Sequence, residues 1–117
     1  MAATPFEATV RREGAIPVID LAGDIDRGAE ARLAAAYDEA TADGRPNLAL
    51  NFARVAYINS TGIALIVGLL ARSRKEGRRI TAHGLSPHYR EIFEITRLSD
   101  FMSIFGDEEA AVAEVPA

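Results

Sequence analysis

A polar break inside an apolar stretch is the first place in this sequence where chemistry could occur. The stretch YINSTGIALIVGLL covers residues 57–70, and its middle carries the amide of Asn59 and the hydroxyls of Ser60 and Thr61, followed by Gly62. Side chains of these types serve either as the cap at the start of a helix or as a reactive site. The rest of the sequence has to decide between these two interpretations.

A nucleophilic role for Ser60 would need a strained turn and a general base. The pattern G-x-S-x-G is only half present, because Gly62 stands at the required distance while Ile58 occupies the place of the first glycine. The histidines His83 and His88 lie far along the chain, at the predicted end of a strand and start of a helix. We expect both to be surface or capping residues. We therefore predict no catalytic residue and no enzymatic activity.

Metal, phosphate-loop and carboxylate-pair sites are also disfavoured. The sequence has no cysteine and only two histidines, and these lack carboxylates at ligand spacing. Gly62 and Gly68 are not followed by the Lys-Ser or Lys-Thr of a phosphate-binding loop. Asp24 and Asp26 could pair, but a turn and a helix N-cap explain Asp26 fully and Asp24 in part. The sequence predicts no metal and no cofactor.

Composition predicts one soluble domain. The chain has 117 residues, 49% hydrophobic and 26% charged, with a net charge of -4, which disfavours nucleic acid as a partner. The longest apolar run, residues 62–71, is about half of the ~20 residues of a membrane span, and the N-terminus lacks the pattern of a signal peptide. We expect a cytoplasmic protein. One basic cluster is assigned to a helix C-terminus before a strand: Arg72, Arg74, Lys75, Arg78 and Arg79.

Strands and helices alternate along the chain, which predicts an α/β fold with a partly parallel sheet. The predicted strands cover residues 6–10, 16–23, 47–52, 78–84 and 101–105. The predicted helices run from the cap Asp26 to Gly44, from Ser60 to Gly77, from the cap Ser86 onwards, and from the cap Asp107 to about Glu114. Leu65 and Leu69 widen the apolar face of the second helix, so we expect that helix to be buried over most of its circumference.

Three segments, in order, resemble the anti-sigma-factor antagonists of bacteria, which are free-standing members of the STAS domain family. They are LAGDID, LALNFARVAYINSTGIALIVGLL and GLSPHYREIFEITRLSDFMSIF, and the resemblance extends over residues 6–113. It implies a single STAS-like domain over residues 1–117 with a frayed tail at 114–117. It also implies a mixed, mostly parallel sheet of four to five strands, with about four helices packed mainly on one side.

The resemblance further implies a partner switch. In this family the unphosphorylated protein binds an anti-sigma factor that is also a serine kinase, which frees a sigma factor. Phosphorylation of a serine ends the complex, and a PP2C-type phosphatase restores the protein. The matching acceptor is Ser60, with Thr61 a poorer acceptor because its side chain should turn towards the helix. The implied partner-binding residues are Asp24, Asp26, Asn59, Ser60, Thr61 and Gly62.

Two details of this resemblance concern charge beside Ser60. Asp26 matches an aspartate that lies next to the phosphorylation site, whereas Asn59 stands where many members have aspartate. Asparagine caps a helix about as well as aspartate, so the fold should be unaffected, but one negative charge beside the acceptor is lost.

Other functions remain open at this stage. One is a scaffold domain in which Asn59 and Ser60 only cap the helix, and another is a small-molecule sensor. A transporter domain is disfavoured because no membrane segment accompanies it. The sequence does not name the sigma factor, the kinase, the signal or the oligomeric state.

Overall fold

The computed structural model describes residues 4–12, 14 and 16–113. Within this part of the chain, one five-stranded sheet has the order β1-β2-β3-β4-β5. Strand β1 runs antiparallel to β2, and the other neighbours are parallel. The strands are β1 Glu7–Arg11, β2 Val18–Ile25, β3 Asn47–Ile58, β4 Arg79–His83 and β5 Ser103–Phe105. Four α-helices lie in the same described ranges: α1 Glu30–Ala40, α2 Ser60–Lys75, α3 Pro87–Ile95 and α4 Glu108–Ala113. The predicted α/β fold with a mixed, mostly parallel sheet is confirmed.

The two faces of the sheet are covered differently. Side chains alternate along a strand, so Ile19 and Leu50 point into the main core, which α1, α2 and α3 cover. On the opposite face, Val112 of α4 packs against a small cluster that includes Val18 and Ala49. Three of the four helices among the described residues thus share one face, in agreement with the predicted packing mainly on one side.

Strands β2 and β3 are longer than the sequence predicts. We expected a glycine to end β2, but Gly23 lies inside the strand with φ 84°, and pairing continues to Ile25. A Cβ on this glycine would lie 2.0 Å from the carbonyl oxygen of Pro5. Strand β3 was expected to end at Phe52 and instead reaches Ile58, because its second half pairs with β2 beyond the end of β4.

The ends of the first helix also differ from the prediction. Asp26 caps a 3₁₀ turn over Arg27–Ala29 rather than α1 itself. The α-helix ends at Ala40, and Gly44 belongs to the following turn, where its N–H donates to the carbonyl oxygen of Thr41 at 2.9 Å.

The C-terminal elements differ from the prediction in one respect. Strand β5 begins at Ser103 rather than Phe101, because residues 98–100 form a 3₁₀ turn. Asp107 caps α4, as predicted, by accepting a hydrogen bond from the Ala110 N–H at 2.9 Å. The predicted helix end at Glu114 and the tail at 114–117 lie outside the described residues.

His83 is buried, which corrects the expectation of a surface or capping residue. It is 3% exposed because it ends β4 on the face that α4 covers, where its Nε2 lies 3.6 Å from Glu108 Oε1. Arg11 joins the same cluster and donates hydrogen bonds to Asp20 at 2.8 Å and to Glu108 at 3.2 Å. Desolvation lowers the pKa of His83, and the carboxylate of Glu108 opposes this effect only in part.

Acidification is expected to destabilise the protein through this cluster. The pKa of His83 is lower in the folded chain than its usual value. Its contribution to the free energy of unfolding is therefore fully present above about pH 6.5, and it is lost at lower pH as the unfolded chain takes up a proton. The loss can reach about 1.4 kcal/mol per pH unit. The hydrogen bonds of Arg11 lower the pKa values of Asp20 and Glu108, so their contribution disappears at still lower pH.

Urea denaturation between pH 7.5 and 5 tests this expectation. We expect His83→Gln to flatten the dependence of the unfolding free energy on pH in that window. His88→Gln, which changes an exposed histidine, should leave the dependence as in the unchanged protein. Equal pH dependence in both variants would contradict a role for His83.

Candidate functional site

The start of α2 is held by a side-chain cap at Asn59. Its Oδ1 accepts a hydrogen bond from the Gly62 N–H at 2.8 Å, and its carbonyl oxygen accepts one from the Ile63 N–H at 2.9 Å. These bonds make Asn59 the N-cap, as the sequence predicts. The N–H groups of Ser60 and Thr61 have no acceptor among the described residues and remain available at the helix N-terminus.

Gly62 allows α2 to pack directly against the end of β2. A Cβ at this position would lie 1.9 Å from the carbonyl oxygen of Ile25 and 3.0 Å from Cγ2 of Ile58. The Asn59 N–H donates to the same carbonyl of Ile25 at 3.3 Å. Only glycine therefore fits at this contact between helix and strand.

Ser60 is the first residue of α2, and its side chain is exposed. Its hydroxyl has no hydrogen-bond partner among the residues that the structure describes, so Asn59 and not Ser60 performs the capping. Thr61 is also exposed, and its role as the poorer acceptor stays a prediction. The first helical turn has no earlier turn to cover it, which explains why both residues are exposed.

The structure places the two aspartates differently. Asp26 directly follows Ile25, whose carbonyl contacts α2, so Asp26 lies beside the first turn of α2. Its carboxylate accepts a hydrogen bond from the Gly28 N–H at 2.8 Å. The carboxylate of Asp24 instead accepts a hydrogen bond from the Thr4 N–H at 3.1 Å. The structure therefore brings Asp26 together with residues 59–62 and gives Asp24 a separate structural role.

The outer face of α2 is exposed, which corrects the prediction of burial over most of the helix. The buried residues form one stripe: Gly62, Ile66, Leu69, Leu70 and Ser73. The opposite side exposes apolar residues that share a face with Ser60 at helical spacing: Ala64, Val67 and Ala71. No described element packs over this face. The apolar residues on this side of α2 are therefore exposed, although their hydrophobicity led us to expect burial.

Tyr57 is a surface residue near this site that sequence reasoning did not single out. Its side chain is 55% exposed, while the next residue, Ile58, is buried. Alternation along β3 was the available signal, because the neighbour of a buried strand residue faces the other side. Tyr57 thus points away from the sheet face that α2 covers, although it precedes Ser60 by only three residues.

A metal site and a membrane span both lack candidates among the described residues. These residues contain no group of three or more histidine, aspartate or glutamate side chains that could hold a metal ion. No helix in the same ranges has both the length and the apolar character needed to cross a bilayer.

Comparison with known proteins identifies the family. A family model described as "Mlab, STAS domain" matches residues 8–105, which is most of the chain. The chain belongs to the STAS domain family.

Its relatives are anti-sigma factor antagonists. The candidate anti-sigma factor antagonist BtrV of Bordetella bronchiseptica is 36% identical over 87 residues, covering 72% of this chain and 69% of that protein. The anti-sigma-B factor antagonist of Staphylococcus aureus is 34% identical over 62 residues, which is 53% of this chain. That match covers 57% of the length of the Staphylococcus aureus protein. By homology and fold, the chain is a member of the anti-sigma factor antagonist family.

Solved structures show the same fold. An anti-sigma factor antagonist from Mycobacterium paratuberculosis superimposes with a TM-score of 0.80 at 20% identity, covering 95% of this chain and 94% of that chain. The unphosphorylated form of the anti-sigma factor antagonist SpoIIAA superimposes with a TM-score of 0.69 at 23% identity, covering 94% and 99%. Bacillus SpoIIAA has also been solved in its phosphorylated form, with the same TM-score of 0.69. At these identities the comparison establishes the fold.

Proposed function

We propose that this protein binds an anti-sigma factor and is released when Ser60 is phosphorylated. The observation that carries the proposal is the separation of roles at the start of α2. Asn59 makes the capping hydrogen bond, whereas the exposed Ser60 hydroxyl makes none among the described residues. A structural role therefore accounts for Asn59 and leaves Ser60 unexplained.

The surroundings of Ser60 suit a phosphate. The free N–H groups of Ser60 and Thr61 can donate to phosphate oxygens, and the positive end of the dipole of the 16-residue helix α2 favours an anion. Phosphorylation therefore leaves the fold intact. It adds a charge of about -1.5 to -2 to the surface.

The same charge opposes binding of a protein partner. Ser60 lies on one face of α2 with exposed apolar residues such as Ala64 and Val67, and a partner docked there would have to desolvate the phosphate. Asp26 beside the helix start adds negative charge. A local modification thereby becomes a loss of binding. Asn59, in place of an aspartate, leaves the unphosphorylated surface less negative.

The names of the relatives and the chemistry of the switch define the partners that we propose. An anti-sigma factor with serine kinase activity would bind the unphosphorylated protein, release a sigma factor and phosphorylate Ser60. A PP2C-type phosphatase would reverse the modification. This function requires a cytoplasmic location, because transcription takes place there.

Incubation with the anti-sigma kinase of the same organism and ATP, followed by phosphopeptide mapping, tests the acceptor. We expect one phosphate, on Ser60, because Ser60 is the residue that matches the phosphorylated serine of the family. Ser60→Ala should abolish incorporation, and the neighbouring control Thr61→Ala should retain it. Phosphate on Thr61 alone would contradict the proposal.

A scaffold domain without a switch is the second candidate function. The Asn59 cap favours it, because this hydrogen bond explains the polar break without any partner. A scaffold would bind its partner equally well with serine, alanine or aspartate at position 60, whereas the proposed switch distinguishes aspartate from the other two.

A further inference from the structure

A groove of about 450 Å³ lies on the surface beside the C-terminal half of α2. Its other wall is formed by the segment that follows α3. We call it the α2 groove and define it by six of its lining residues: Val67, Ala71, Arg74, Lys75, Leu98 and Phe101.

The α2 groove leaves large apolar side chains in water. Val67 is 47% exposed and Phe101 is 56% exposed. The guanidinium of Arg74 lies 5.4 Å from the centre of the Phe101 ring, a cation–π arrangement. Contiguous exposed apolar surface of this kind marks interaction sites, and aromatic and arginine side chains are enriched among the residues that dominate binding energy.

The charges at the α2 groove are positive and uncompensated. Within the described residues, neither Arg74 nor Lys75 has a carboxylate partner, whereas Arg72 on the same helix donates to Asp38 at 2.6 Å. Asp100, the acidic residue adjacent to Phe101, already forms an ion pair with Arg97, in which Nε and Oδ2 are 2.9 Å apart. Among the described residues, the groove therefore presents two cations without a carboxylate partner, on a chain whose net charge is -4. Its electrostatic complement is an acidic ligand.

The α2 groove continues the face of α2 that carries Ser60. Ala64, Val67 and Ala71 follow Ser60 at offsets of four, seven and eleven residues, so they form one exposed stripe. Lys75 lies about 22 Å from Ser60 along the helix axis. A protein segment that contacts both ends of this stripe needs about 15 helical residues.

We propose that the protein partner that recognises Ser60 inserts a helix with both acidic and apolar side chains into the α2 groove. This inference rests on the proposed function. Apolar side chains of that helix would cover Val67 and Phe101, and its carboxylates would pair with Arg74 and Lys75. The openness of the groove favours a protein segment over a small molecule, because ligand pockets bury most of their ligand, whereas Phe101 stands largely in solvent.

Calorimetric titration with the purified anti-sigma kinase that phosphorylates Ser60 tests the inference. We expect Phe101→Ala to weaken binding about thirtyfold, the effect of losing a dominant interface residue. Lys75→Glu should weaken binding about tenfold and reduce its dependence on salt concentration, because an attractive charge becomes repulsive. Circular dichroism of each variant establishes that it is folded.

Two control variants distinguish an effect of the groove from a general effect of losing an exposed apolar side chain or a positive charge. Ile95→Ala truncates another exposed apolar residue, and Arg32→Glu reverses another exposed cation. Neither residue lines the α2 groove, and both variants should bind as the unchanged protein does. Equal losses in the controls and the groove variants would overturn the inference.

Ser60→Asp in the same series separates the inference from the proposed function. Loss of binding for Ser60→Asp together with normal binding of Phe101→Ala and Lys75→Glu would overturn the groove inference and leave the switch intact. Normal binding of Ser60→Asp with losses at the groove would support docking there and refute the switch. Decanoate provides a further test. If the protein binds decanoate saturably, Lys75→Glu abolishes that binding and Phe101→Ala keeps its affinity for the kinase, the groove binds a small anionic amphiphile and the inference is overturned.

Discussion

Gly62→Ala is expected to destabilise the protein by about 3 kcal/mol, the upper end of the range for overpacking. The added methyl carbon would lie 1.9 Å from the carbonyl oxygen of Ile25. The methyl is fixed directly to the backbone of α2 and the carbonyl is part of the backbone of β2, so neither can rotate away as the end of a long side chain would. The helix has to move off the strand, which also disturbs the hydrogen bond from the Asn59 N–H to Ile25.

Gly68→Ala provides a control in the same helix. Gly68 is exposed, and a Cβ at this position would have nothing within 4 Å. Alanine is favoured over glycine in a helix by about 1 kcal/mol, so this variant should be stabilised by about that amount. Urea denaturation followed by circular dichroism measures both variants. A Gly62→Ala protein as stable as Gly68→Ala would contradict the close packing of α2 on β2.

Features that depend on neighbouring residues in the chain could be predicted from the sequence. The three helix caps at Asn59, Ser86 and Asp107 each accept a hydrogen bond from an N–H three residues later, and the residue type and spacing alone indicate such bonds. The order of strands and helices was also predictable, because hydrophobic periodicity reflects local geometry.

Features that depend on distant partners could not be predicted in the same way. Strand β3 continues to Ile58 because β2, which lies far away along the chain, pairs with it there. His83 is buried because α4, formed by residues far along the chain, covers it. The exposed side of α2 is apolar in sequence, and only the absence of a described element above Val67 and Ala71 shows that it faces outwards.

The candidate site combines both kinds of feature. Asn59, Ser60 and Gly62 lie within four consecutive residues, so their association is a property of the sequence. Asp26 joins them through the preceding residue, Ile25, whose carbonyl oxygen accepts a hydrogen bond from the Asn59 N–H and lies against Gly62. Val67 and Phe101 likewise line one groove only because the fold places the segment after α3 beside α2.

Ser60→Asp is expected to weaken binding of the anti-sigma factor by at least about thirtyfold. The bound partner would bury a carboxylate at this position without an ion-pair partner. An unpaired charge in an interface weakens the binding free energy by about 2 kcal/mol or more. Ser60→Ala removes a hydroxyl that makes no hydrogen bond among the described residues, so its affinity should stay within about threefold of the original, or 0.7 kcal/mol. Thr61→Asp is the positional control, because it places the same charge one residue further along the exposed first turn. A smaller loss is expected there.

The most direct test of the phosphorylation switch is the dissociation constant of the anti-sigma factor complex, measured by calorimetry before and after phosphorylation of Ser60. We predict tight binding of the unphosphorylated protein and at least about thirtyfold weaker binding of the phosphorylated protein, with circular dichroism spectra that are the same for both forms. Treatment with a PP2C-type phosphatase should restore the original affinity. Equal dissociation constants for two folded forms would contradict the proposed switch.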